Sequence, residues 1–198
     1  MRTPWTIAIV AAVVVTVAVL MARGGDSPDR RDETAYGAAG APALPPADVE
    51  FLTRAAESSS SQIELAQLAQ RTSEQPGVDA LAQRIEQDLE QVNDRLEDLT
   101  DRRDVDFPND AVGLPGPTET QRATHERLDK LEGPAFDRAW IDQTVTDHRN
   151  AVSLYQRAAD STDTDVKAYA ESGLPVLKAR LTEAEELQRE LKAPASTR

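Results

Sequence analysis

Apolar residues recur with a helical period along most of the chain. Between Pro76 and Arg102, Val78, Ile85, Val92 and Leu99 stand seven apart, with Leu81, Leu89 and Leu96 between them. That spacing lays one continuous apolar seam along a helix. A helix over roughly Asp48–Thr72 carries a smaller-residue stripe of Leu52, Ala55, Ser59, Ile63, Ala66 and Ala69. Two further long helices are predicted. Ala135–Ala159 turns Ile141, Val145, His148, Val152 and Tyr155 inward. Asp163–Lys192 turns in Val166, Ala170, Leu174, Leu177, Leu181, Ala184 and Leu191. Pro175 lies inside the last helix and should kink it near Gly173, because its ring clashes with the carbonyl of Glu171.

The breaks decide how these helices are arranged. Pro76 suits a first helical turn, where a missing N–H costs nothing. A loop over Asp104–Pro117 contains Pro108, Gly113, Pro115, Gly116 and Pro117. Thr118 and Gln121 have capping-box spacing for a short helix reaching Leu131, and Gly133-Pro134 ends it. The pattern predicts an all-α fold, a four-helix bundle with a short extra helix in the crossover between the second and third long helices. One extended coiled coil is the alternative, and the Gly/Pro breaks argue against it.

The first 47 residues follow another pattern. Thr6 to Ala22 (TIAIVAAVVVTVAVLMA) is a 17-residue uncharged run. At about 1.5 Å per residue it is slightly short of a hydrocarbon core of about 30 Å. Trp5 precedes it, where an interfacial aromatic would sit. The run is long for a signal peptide, and the cleavage candidate Leu20-Met21-Ala22 is poor because Leu20 is bulky. An uncleaved transmembrane anchor over residues 1–23 is therefore expected, with a removed signal segment as the alternative. Residues 24–47 carry eight Gly or Pro residues and no apolar period, the composition of a flexible linker. The bundle domain is expected over 48–192 and a disordered tail over 193–198.

Composition narrows the function. The chain has no cysteine, which removes disulfides, thiolate metal sites and cysteine nucleophiles. Residues 1–47 hold four of the 22 basic and four of the 35 acidic side chains, so the whole net charge of −13 lies in residues 48–198. Such a domain repels phosphate backbones, and no nucleic-acid partner is expected. The serine run Ser58–Ser61 has no strand-to-helix elbow and no obvious base. No phosphate loop is present.

The stretches FLTRAAESSSSQIELAQLA (Phe51–Ala69), LAQRIEQDLEQVNDRL (Leu81–Leu96), GPAFDRAWIDQTVTDHRNAV (Gly133–Val152) and SGLPVLKARL (Ser172–Leu181) together resemble the bacterial domain of unknown function 4142 family. The similarity covers about Val49–Leu187. It implies a ferritin-like bundle that is exported, which favours an extracytoplasmic domain. Counting charges alone favours the opposite orientation, since Arg2 precedes the uncharged run while Arg23, Arg30 and Arg31 follow it.

The resemblance also implies a metal or proton site. The family pattern has a glutamate in the first helix, Asp-His in the second, Asp-His in the third, and a histidine six residues after the Leu of a Leu-Pro pair in the fourth. The matching positions here are Gln62, Asp88-Leu89, Asp147-His148 and Arg180. Three ligand types are thus replaced. His125 and His148 also lack a glutamate three residues before them, so a Glu-x-x-His dimetal centre is not expected. Gln62, Asp88, Asp147, His148 and Arg180 form a candidate polar core cluster. Within it, His148 is read as a hydrogen-bonded core histidine, with a pH-sensitive switch as the alternative. Arg180 is read either as reaching into water, the usual state of a long charged side chain, or as the charge that compensates Asp88 and Asp147. No metal, cofactor or catalytic residue is expected. The chain reads as a non-enzymatic, single-pass protein of the cytoplasmic membrane, with its bundle outside and an unidentified protein or envelope partner. The alternative is a metal-binding or redox-linked ferritin-like protein using His148 and nearby carboxylates.

Overall fold

The computed structural model of the chain describes residues 42–107 and 113–193. The expected anchor over residues 6–22, most of the linker and most of the tail lie outside these residues. Among the described residues the protein is entirely helical, and no helix is long and apolar enough to cross a membrane. Five helices follow in order: α1 (Pro46–Thr72), α2 (Pro76–Arg103), α3 (Glu119–Leu128), α4 (Gly133–Ala158) and α5 (Thr164–Lys192).

The boundaries have local causes. A proline sits in the first turn of α1, α2 and α4, where no N–H is lost from the ladder. Helix α3 is closed by its capping box: Thr118 N donates to Gln121 Oε1 at 2.7 Å and Gln121 N donates to Thr118 Oγ1 at 3.4 Å. It ends at Leu128, three residues short of Leu131. Asp163 caps α5 by accepting from the Asp165 and Val166 amides.

Helix α1 packs on α2 and α4, and α5 packs on the same two, so the long helices close a ring around one core. The short links α1–α2 and α4–α5 make antiparallel neighbours. The long crossover joins α2 to α4 and lays α3 against α1 and α4. Every predicted seam residue of α2, from Val78 to Leu99, is buried. The other stripes are shifted. Ile63, Val152, Leu174, Leu181 and Leu191 are half-buried, while Gln62, Leu65 and Ala151 are buried. A helix with two ring neighbours buries a face wider than a single a/d line, so the residue beside the predicted one is enclosed as well.

Helix α5 runs unbroken through Pro175, whose side faces solvent. The tight position is Gly173. A Cβ there would come within 2.6 Å of Tyr155 Cε1. Tyr155 is buried, its hydroxyl 2.7 Å from that of Tyr169, with the Phe51 ring edge-on at 5.2 Å. The ring cannot withdraw without disturbing both partners. Gly173→Ala should therefore destabilise the protein by about 1–3 kcal/mol, the usual cost of overpacking. Thermal unfolding of the two proteins checks this, and an unchanged midpoint would show that Tyr155 yields freely.

A second junction ties the helix ends together. Arg103, the last residue of α2, has a side chain only 6% exposed. Its Nη1 donates to Asp163 Oδ1 at 3.0 Å and to Asp165 Oδ2 at 2.9 Å. Its Nη2 donates to Asp163 Oδ2 at 2.7 Å and to the Pro42 carbonyl at 3.0 Å. Asp104 then turns the chain away in the left-handed region, at φ 49°. One guanidinium thus joins the end of α2, the start of α5 and the segment leading into α1.

Candidate functional site

Polar side chains enter the core midway along the bundle, on the apolar faces of α1 and α4. His148 is completely buried. Its Nδ1 lies 3.0 Å from the carbonyl of Thr144, one turn earlier. A carbonyl only accepts, so Nδ1 carries the proton and Nε2 presents a lone pair. Nε2 has no partner among the described residues. Burial pushes the imidazole pKa down to about 4, with the nearby positive charge of Arg180 adding to the effect, while the Thr144 bond opposes it. His148 is neutral at neutral pH.

Gln62 enters from α1. Its Nε2 donates to Ser58 Oγ at 2.9 Å and to the Ser58 carbonyl at 3.3 Å. The carbonyl fixes the amide orientation, since it cannot donate to Oε1. Oε1 is buried without a partner among the described residues. Trp140 is 1% exposed and donates Nε1–H to the Leu65 carbonyl at 2.9 Å, which joins α4 to α1. Gln62, Trp140, Thr144, Asp147 and His148 line one small cavity with Leu65 and Ile85.

Asp147 stands at its edge. Gln143, one turn back, donates to Oδ1 at 3.0 Å. Burial outweighs that bond and raises the carboxyl to about 6. The sign of the pH effect follows. The folded pKa lies above the ordinary 3.8, so the native state holds the proton more tightly and loses stability as pH rises from 3.8 to about 6. His148 acts oppositely: its contribution is complete above 6.5 and is lost as pH falls toward 4. Asp147→Asn keeps the acceptor for Gln143 and removes the charge. It should raise the urea midpoint at pH 7 and change it little near pH 3.8. An equal shift at both pH values would show that the charge is not responsible.

Asp88 and Arg180 form a separate pair between α2 and α5. Arg180 Nε lies 2.7 Å from Asp88 Oδ2, a close ion pair without hydrogen-bond alignment. Nη1 donates to Glu183 Oε2 at 2.6 Å. Glu183 also meets Arg84 at 3.0 Å, which gives the ladder Asp88–Arg180–Glu183–Arg84. Arg180 thus neither reaches freely into water nor joins Asp88 to Asp147. Its second partner is instead Glu183, one turn along its own helix, and Asp147 is held by Gln143. The five candidate residues therefore divide: Gln62, Asp147 and His148 share the cavity, while Asp88 and Arg180 pair beside it. Leu89 is 2% exposed in the apolar core. Among the described residues, no three His, Asp or Glu side chains converge closely enough to hold a metal ion.

A family model, described as Domain of unknown function (DUF4142), matches residues 33–187. The chain belongs to the DUF4142 family. Among solved structures, a DUF305 fragment from Deinococcus radiodurans aligns with a TM-score of 0.65 at 19% identity, covering 75% of this chain and 99% of that one. At that identity the likeness concerns the fold alone. No curated protein matches the chain significantly.

Sequence reasoning missed Thr144, Gln143 and Glu183 as partners within this DUF4142 bundle. Each stands three or four residues from the group it serves, so helical spacing could have found them. It also missed the Arg103–Asp163 junction, which spans 60 residues and leaves no local signal.

Proposed function

We propose that the chain is a membrane-tethered, non-catalytic module of the cell envelope. In this reading residues 6–22 anchor it in the cytoplasmic membrane and residues 24–47 act as a spacer. The ferritin-like four-helix bundle stands on the extracytoplasmic side and engages a protein or envelope partner. The observation that carries the non-catalytic reading is the fate of the positions resembling family ligands. Leu89 is packed as hydrocarbon, and Arg180 occupies Asp88 with a permanent positive charge. A cation brought there would compete with a guanidinium. The uncharged N-terminal run supports the tether, and the net charge of −13 argues against nucleic acid.

The test is to purify the full chain from washed bacterial membranes, then measure its intact mass and transition-metal content. The expected result is a chain that retains Trp5 and binds metal well below one ion per chain. A product starting near Arg23 would overturn the anchor. One tightly held metal ion per chain would overturn the non-catalytic reading in favour of a metal-binding protein centred on His148.

A further inference from the structure

We propose that the core of the bundle is a binding site for one water molecule, which donates one hydrogen to His148 Nε2 and the other to Gln62 Oε1. Both atoms are acceptors. The tautomer of His148 is fixed by the Thr144 carbonyl, and the amide orientation of Gln62 by the Ser58 carbonyl. Neither can reverse to become a donor without breaking a bond to an acceptor-only group. Both side chains are more than nine-tenths buried, and both atoms lack a partner among the described residues. An unmet buried acceptor is destabilising, because the hydration it loses on folding is not replaced. Two of them beside one cavity make a strong case for a shared donor.

The ligand must be small and must offer two donors. The space open to the centre of a water molecule in the cavity shared by Gln62 and His148 is ≈ 10 Å³, about the lower limit for one water. Water matches both acceptors and still has lone pairs for a third contact. Asp147 lines the same cavity, and its carboxyl holds a proton up to about 6. Below that pH its O–H can donate to the water; above it the carboxylate can compete for a water hydrogen. A metal cation also accepts lone pairs; here His148 Nε2 and Gln62 Oε1 are neutral, and the pull of Asp147, the one acid lining the cavity, is opposed by the positive charge of Arg180 felt at His148.

Asp147 stands between the cavity and an outer groove. Asp147 and Ser58 line the outer groove between α1 and α4. Asp147 lines the inner cavity too, and Ser58 holds Gln62 by its amide. A water entering from the groove would have to pass these two residues. Exchange is thus expected to be slow compared with surface hydration but to need no global unfolding.

Water–protein nuclear Overhauser measurements on the full chain in detergent micelles test the proposal. Cross-peaks of the long-lived sign are expected between water and the ring protons of His148 and Trp140. Gln62→Leu removes one acceptor and should abolish them while the far-UV dichroism is unchanged. Failure of Gln62→Leu to fold would leave the wild-type spectrum decisive. Absence of water contacts in the wild type overturns the site. Their persistence in a folded Gln62→Leu protein overturns the bridge. One metal ion per chain in the same sample replaces water with a cation.

Discussion

Leu89→Ala is expected to lower the free energy of unfolding by about 2–5 kcal/mol, the range for a large aliphatic side chain removed from a packed core. Leu89 is 2% exposed and stands in an unbroken seam with Ile85, Val92 and Leu96. Helix α2 packs on α1 and on α5, so neighbours on both sides limit collapse into the hole. Urea unfolding of the full chain measures the effect, with Glu90→Ala as a solvent-exposed control whose midpoint should hardly move. The result bears on function as well as stability. A near-zero cost would place residue 89 outside the packed core and return its position to the list of possible ligand sites.

Arg103→Ala is expected to cost about 1–3 kcal/mol, above an exposed ion pair and reaching at most the low end for removing one partner of a buried one. The low end applies because Asp165 remains half in water, at 48% exposure, whereas Asp163 is only 13% exposed. Loss of the guanidinium leaves Asp163 a charge with no cation, and frees the Pro42 carbonyl. Arg103→Lys keeps the charge but cannot form the two-pronged contact, and should recover only part of the loss. The pH dependence has a definite direction. Arg103 holds the Asp163 carboxyl below its ordinary value of 3.8, opposed by burial. Its contribution is therefore complete above 3.8 and disappears as pH falls through the lowered value. The gap between Arg103→Ala and the parent should narrow in strong acid. A constant gap would mean that lost packing, not lost charge, causes the effect.

The helices were legible in the sequence because they obey local rules. A seven-residue recurrence in α2, prolines in first turns and the Thr118–Gln121 box each act within a few residues, and a linear reading captures them. The site was legible only in part. The candidate residues came from resemblance, and spacing could not show which helix faces which. It therefore joined Arg180 to Asp147, although Glu183 was nearer along its own helix. The apolar period points Ile63 inward, whereas in the structure its neighbour Gln62 is the more deeply enclosed. One step along a helix is a rotation of about 100°, given 3.6 residues per turn. Only the placement of neighbouring helices decides which adjacent residue is covered.

The Arg103 junction also makes the protein a reporter of its own breathing. Trypsin recognises a basic side chain and needs the surrounding backbone to open. Arg102 and Arg103 flank one peptide bond, so a cut after either needs Arg103 to release Asp163, Asp165 and the Pro42 carbonyl as the end of α2 unwinds. Fragments ending at either residue therefore count the moments when α2, α5 and the entry to α1 come apart.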